Sequence, residues 1–261
     1  MKYYFKEEMK RIFLSKNMLV AVIMAFLCMF TSILLGNFYV EKKDAVYYFM
    51  LAHSLGSASL LPLLAPVIVS LPFVASFLED KESGFFKYLL LRISHKKYVV
   101  IRLISNALAG ALALTIPLST IFVFYALFYG VKTNGMAVGK YAGDLSWLSV
   151  NRPLLFVFSI IALTFIYGMV ISTLGLGLSV IIKNRYLAII LPFILAIFTG
   201  TVLEYYGVNS IFDFHLSGII DFTLRSYVNI KHILLYDSIL FLFGVLLFVK
   251  FSSGRNGDKI E

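Results

Sequence analysis

The chain has 261 residues, 60% of them hydrophobic and only 14% charged, with a net charge of +9. Soluble domains carry about 25% charged residues, so an ordinary soluble enzyme is excluded, and six spans of about 20 residues would leave only short loops. The basic residues lie beside apolar runs and form no groove interleaved with aromatics, which points to anionic headgroups and away from nucleic acid.

Residues 1–17 carry five basic side chains together with Glu7 and Glu8. Phe5, Met9, Ile12 and Phe13 recur at i, i+4, i+7 and i+8, while Lys2, Lys6, Lys10 and Lys16 take the other faces. This spacing predicts an interfacial helix on membrane lipid; a plain polybasic stop before the first span is the alternative. The apolar run that follows is too long for the core of a signal peptide, so no cleaved leader is expected.

Six apolar stretches follow: 18–36, 55–78, 104–129, 154–182, 186–203 and 233–251. Each can cross about 30 Å of hydrocarbon at about 1.5 Å per helical residue. They predict an all-α, multi-pass membrane protein with six transmembrane helices, residues 1–261 forming one domain. None has Lys, Arg, His, Asp or Glu in its middle, and a self-powered ion or proton carrier needs such groups at membrane depth. The lone Cys28 falls inside the first stretch, as a packed thiol.

Lys and Arg alternate between the gaps. Sixteen of the 23 fall in residues 1–17, 79–103, 183–185 and 250–261, the other seven in 37–54, 130–153 and 204–232. Both termini are therefore expected in the cytoplasm of a cell membrane, with Tyr39, Tyr47, Tyr48, Tyr141, Trp147, Tyr205 and Tyr206 at the outer headgroups.

Pro62, Pro66 and Pro72 crowd the second stretch, each removing a backbone donor, so that helix is expected to be kinked. A bent helix can line a path or simply pack. After it comes Glu79-Asp80-Lys81-Glu82-Ser83-Gly84, then Phe85-Phe86-Lys87-Tyr88-Leu89-Leu90-Leu91-Arg92. Acids contribute little to orientation, which leaves two readings: a short helix docking on a soluble partner, or a solvated turn.

In the fourth stretch small residues recur four apart as Gly168/Ser172, Thr173/Gly177 and Gly175/Ser179, a pattern for close helix contact with a neighbour in this chain or another. Residues 204–232 are too apolar for a solvated connector and predict a helical hairpin at the outer leaflet. Asp213 and His215 lack a third ligand, so no metal is expected. Asp237 is placed one turn into the last stretch, in a helix-start role.

No His-Glu-x-x-His and no phosphate-binding Gly-x-x-x-x-Gly-Lys-Ser/Thr occurs, and His53, His95, His215 and His232 fall in loops or at their edges. Catalysis by the chain itself is not expected. Ion coupling through the broken second helix stays open.

The pattern as a whole resembles the permease subunits of ABC type-2 exporters, of the bacterial peptide or drug efflux kind. The resemblance rests on the basic opening helix ending Lys10-Arg11-Ile12-Phe13-Leu14-Ser15-Lys16-Asn17, on six spans, and on Glu79-Asp80-Lys81-Glu82-Ser83-Gly84 with Tyr88-Leu89-Leu90 and Ser94-His95-Lys96-Lys97-Tyr98. Members commonly have threonine after the glycine and proline before the serine; here Phe85 and Ile93 stand instead. The resemblance implies a separate ATP-binding subunit, holding ATP and Mg, docked on a cytoplasmic coupling segment at 79–97. Its contacts would be Glu79, Asp80, Lys81, Glu82, Ser83, Gly84, Phe85 and Tyr88, with Lys183 and Arg185 of the next inner turn. It also implies a second permease copy or paralogue, and a central path lined by spans one, two and five. Phe26, Phe30, Phe73, Phe77, Phe193 and Phe198 would line that path and suit amphipathic or lipophilic cargo such as antimicrobial or toxin-like peptides or drugs.

Overall fold

A computed structural model describes residues 2–35, 43–53, 60–131, 143–182, 184–202, 205, 215–216, 220 and 229–254. Among these there is no strand. The helices are α1 (Lys2–Phe13), α2 (Lys16–Leu35), α3 (Ala45–His53), α4 (Leu61–Ser70), α5 (Ser76–Glu82), α6 (Phe85–Arg92), α7 (His95–Tyr129), α8 (Ser146–Asn151), α9 (Pro153–Ser179), α10 (Arg185–Ile197) and α11 (Ile230–Gly254). A π-helical turn, Phe198–Val202, continues α10. Among the described residues five helices are long and apolar enough to cross a membrane: Lys16–Leu35, His95–Tyr129, Pro153–Ser179, Arg185–Val202 and Ile230–Ser252.

The sixth expected span, 55–78, is not one helix. Pro62 sits at the start of α4, where its missing N–H costs nothing, so it opens that helix and does not kink it. Pro66 lies inside α4. Pro72 lies among residues 71–75, which form turns between α4 and α5. Upstream, α3 was expected as outer loop, yet nearly every residue of it is buried. The Ala45 N–H donates to the Gly130 carbonyl at the end of α7 (3.1 Å). Tyr48 stacks on Tyr125 at 4.2 Å, and Phe49 meets Phe122 edge-on at 5.7 Å. At the far end of α7, α5 is joined to it through Asp80 and Arg102. The segments α3, α4 and α5 therefore run antiparallel to α7 along its length, with α4 and α5 separated by the turns at 71–75. With 35 residues, α7 is about 52 Å long, longer than the hydrocarbon layer alone requires.

The buried centre of the bundle is α9, and its small residues explain why. A Cβ on Gly168 would stand 2.6 Å from the Ala111 Cα and 2.7 Å from the Gly110 carbonyl of α7. On the α11 side, Gly177 faces Gly244, and a Cβ on Gly244 would lie 2.8 Å from the Leu174 Cα. Gly175 faces the side chains of Val74 and Pro192. The partners of the small-residue pattern are thus neighbours in the same chain, allowed to approach by absent side-chain bulk.

Side-chain caps fix several helix starts. Asn184 Oδ1 accepts from the Tyr186 and Leu187 N–H groups (2.9 and 3.3 Å) at the head of α10. Asp144 Oδ2 accepts from the Ile230 N–H (3.0 Å), so an 86-residue loop closure starts α11. Removing the first cap with Asn184→Ala is expected to cost about 1 kcal/mol, read as a small fall in the thermal midpoint of the detergent-solubilised chain.

One acid and two bases occupy places the apolar pattern hid. Because α11 begins at Ile230, Asp237 is two turns inside it and only 2% exposed, too deep for the helix-start role. Because α7 begins at His95, Arg102 lies two turns inside it and is 1% exposed. His53, expected at a loop edge, is fully buried with Nε2 3.0 Å from the Thr164 hydroxyl of α9. Thr164 already donates to the Ile160 carbonyl, so its oxygen receives the imidazole N–H.

Candidate functional site

The site is built where α1, α5 and α7 meet. Along α1, Tyr4, Glu8, Arg11 and Ile12 share one face, with Glu8 3% exposed and Ile12 fully buried. The face that sinks into the protein is therefore half polar, while Phe13, assigned to the apolar face, is exposed. On α5, Asp80 continues the inward side of Phe73 and Phe77 at i, i+4 and i+7, and is 2% exposed. On α7, Tyr98 and Arg102 are one turn apart, and the Arg102 Nε donates to the Tyr98 oxygen (3.2 Å).

Arg102 is the centre. Its Nη2 pairs with Asp80 Oδ2, and its Nη1 pairs with Glu8 Oε2 at 3.2 Å. Arg11 adds a second cation from the rim: Nη1 is 2.8 Å from Asp80 Oδ1, and Nη2 is 3.7 Å from Glu79 Oε2. The Phe73 ring receives both guanidinium groups, at 4.8 Å for Arg102 and 5.8 Å for Arg11. A planar, permanently charged guanidinium can satisfy two carboxylates and an aromatic face together, which an ammonium cannot. Burial, first, pushes the Tyr4 hydroxyl up, with Glu8 adding to the shift and Arg102 opposing it, so Tyr4 stays a neutral phenol beside the cluster. The cluster then sets two cations against three carboxylates and locks three helices to one another.

Beyond Asp80 the chain turns outward. Gly84 adopts φ +73°, the left-handed region, ending α5 and launching α6. A Cβ there would meet nothing within 4 Å, so only the backbone conformation demands glycine. Gly84→Ala is expected to cost about 1–2 kcal/mol through that conformation alone, seen as weaker amide-exchange protection of α6 with the rest of the chain unchanged. Phe86 and Leu89 bury α6 against Phe77, Tyr98 and Phe248, with Phe86 edge-on to Phe77 at 5.6 Å and to Tyr98 at 5.1 Å. The opposite face presents Phe85, Lys87, Tyr88, Leu91 and Arg92; Tyr88 is 69% exposed and Leu91 85%. Glu82 Oε2 reaches Arg185 Nη2 at 2.9 Å, a solvent-exposed pair linking the end of α5 to the start of α10.

The expected docking residues therefore divide. Asp80 points inward and is consumed by Arg102 and Arg11, and Glu79 is half-buried against Arg11. Lys81, Glu82, Ser83, Phe85, Tyr88 and Arg185 are exposed around Gly84. Lys183 lies outside the described residues. The expected path residues also divide. Phe73 lies under the guanidiniums and Phe77 packs on Phe86 and Phe248. Phe30 and Phe198 are exposed, and Phe26 and Phe193 half-buried. Among the described residues no ring contact joins any two of these six. The expected hairpin at 204–232 falls mostly outside the described residues; of it, Leu216 and Ile220 are buried, and the Leu216 N–H donates to the Thr199 hydroxyl (3.1 Å). Among the described residues no group of three or more His, Cys, Asp or Glu is placed to hold a metal ion.

Sequence reasoning missed Glu8 and Arg102. The signal for Glu8 was its place four residues from Tyr4 and from Ile12 on one helical face. For Arg102 it was the lack of any proline or glycine between His95 and Ala109. Comparison with protein-family models, with curated proteins and with solved structures found no match.

Proposed function

We propose that the chain is the membrane subunit of an ATP-driven exporter, with both termini and the α5–α6 hairpin in the cytoplasm and ATP hydrolysed by a separate subunit. The observation that carries this reading is the divided α5–α6 hairpin. Its inner face is tied by Asp80, Phe86 and Leu89 to α1 and α7, while its outer face offers Phe85, Tyr88 and Leu91 among Lys81, Glu82, Lys87 and Arg92. Exposed aromatic anchors rimmed by charge are what a docking partner recognises. A push on that face passes through the Arg102 cluster into α7, the longest helix, and into α1 at the membrane surface.

The excess of Lys and Arg on alternate gaps supports six crossings, with α3, α4 and α5 together supplying the second. The resemblance to type-2 exporter permeases supports a second permease copy and an amphipathic or lipophilic cargo. Phe85→Ala with Tyr88→Ala is expected to weaken binding of the ATP-hydrolysing subunit about thirtyfold, the equivalent of ~2 kcal/mol for paired interface anchors. Titration calorimetry or co-purification under graded detergent washes measures it; unchanged affinity would remove α6 from the interface. Glu82→Lys breaks only an exposed pair worth about 0–1 kcal/mol, so it is expected to leave the fold intact while separating ATP hydrolysis from cargo movement.

An ion-coupled secondary transporter is the second reading. The buried carboxyl of Asp237 favours it, since such carriers place titratable groups at membrane depth.

A further inference from the structure

Asp237 stands apart from the Arg102 cluster. It lies on the buried stripe of α11 formed by Ile233, Asp237, Gly244 and Phe248. Gly244 touches Leu174 of α9, and Phe248 joins a buried cluster with Leu176 and Val180, so later residues of α11 accompany later residues of α9. Seven residues before Gly244, Asp237 is therefore level with Gly168, which itself packs on Ala111 of α7. Ala111 is nine residues beyond Arg102, which sets Asp237 about 13 Å along the bundle from the ionic cluster.

Among the described residues nothing answers the charge. Oδ2 of Asp237 is buried without a hydrogen-bond partner. Among the described residues the helices packed most extensively against α11 are α9 and α7. Between residues 153 and 179, α9 has no charged side chain, and Tyr167 is its only titratable group. Beyond Arg102, α7 offers only Tyr125 and Tyr129. On α11 itself the groups are Lys231 and His232, exposed at its start, then Tyr236, and Lys250 near its end. An isolated carboxylate cannot be held in such surroundings without a cation, and the smallest available is a proton.

We propose that Asp237 is a proton-binding site inside the membrane domain, occupied while α11 is packed on α9. The chemistry is an addition: one carboxylate oxygen takes a proton from water and returns it to water, with no other bond made or broken. Any movement that admits water between α9 and α11 lets that proton leave, so opening of this helix pair is linked to proton exchange. The inference does not depend on how transport is powered.

The test is infrared difference spectroscopy on the full chain in lipid vesicles at neutral pH, wild type minus Asp237→Asn. The expected result is the carbonyl-stretch band of a protonated carboxylic acid, shifted in Asp237→Glu. A difference spectrum showing carboxylate bands, or no carboxyl contribution, overturns the proposal. Raising the pH on the wild-type chain provides the same reading without a substitution: the acid band is expected in mildly acidic buffer and is lost as the pH rises, and its absence from acidic buffer contradicts the proposal. Loss of ATP-dependent transport, by contrast, would bear on the exporter reading and leave this one standing.

Discussion

Arg102→Ala is expected to be the most damaging single substitution in the chain. It removes the cation between Glu8 and Asp80, two side chains only 3% and 2% exposed. Breaking one side of a buried ion pair costs about 3–5 kcal/mol, because the remaining charge has no water to turn to. Asp80 keeps Arg11 at 2.8 Å, but Glu8 keeps no cation that the structure pairs with it, so α1 is expected to peel away first. Limited proteolysis at Lys10 and Arg11 should accelerate before the thermal midpoint of the bundle falls. Arg102→Lys restores charge without the fork that serves both carboxylates and should recover only part of the loss. Replacing Glu8, Asp80 and Arg102 together with apolar residues is expected to be far milder than the single change, since a fully removed buried triad leaves no orphan. A single Arg102→Ala chain as stable as wild type, with α1 still protected, would contradict the cluster's role.

The second large effect is expected at Gly168. A side chain there enters backbone atoms of α7, the Ala111 Cα at 2.6 Å and the Gly110 carbonyl oxygen at 2.7 Å, and backbone cannot swing aside. Gly168→Val should force α7 and α9 apart and cost at least the upper part of the ~1–3 kcal/mol typical of overpacking. Gly175→Ala is the control. Its Cβ would meet only side-chain carbons of Val74 and Pro192, at 3.1–3.3 Å, and a shift of a few tenths of an ångström relieves it. Equal stability of the two variants, measured by thermal unfolding in the same detergent, would mean that the α7–α9 contact is not close in the folded chain.

Much of the helical layout was legible in the sequence because apolar length is a coarse and robust signal. The stretches 18–36, 154–182 and 233–251 match α2, α9 and α11 to within a few residues. The second stretch failed for an instructive reason. Its prolines marked a distorted helix, but hydropathy drew one continuous span from residue 55, whereas α3 already packs on α7 from Ala45 and the chain turns at 71–75 between α4 and α5. Lys42 and Lys43 and the tyrosine pair 47–48 made 37–54 read as surface, yet Tyr48 and Phe49 pack on α7.

The charged core was hidden by the same logic. Hydropathy trims a helix at its last charge, so Arg102 was cut off from α7 and Asp237 was moved to an end. Pairing across 94 residues with Glu8, or the lack of any pair at Asp237, is a tertiary fact that local pattern does not carry. Asp80 was the intermediate case. Its helical spacing from Phe73 and Phe77 was on the page, but three neighbouring acids suggested an outward-facing charge run.

Reconstitution in sealed vesicles tests the central claim most directly. Vesicles holding this chain alone should move no amphipathic cargo uphill on a sodium or pH difference, while vesicles holding it with its ATP-hydrolysing subunit should do so when ATP is added. Uphill movement by the lone chain under an ion gradient, undiminished by removing nucleotide, would contradict the exporter reading and install the ion-coupled one.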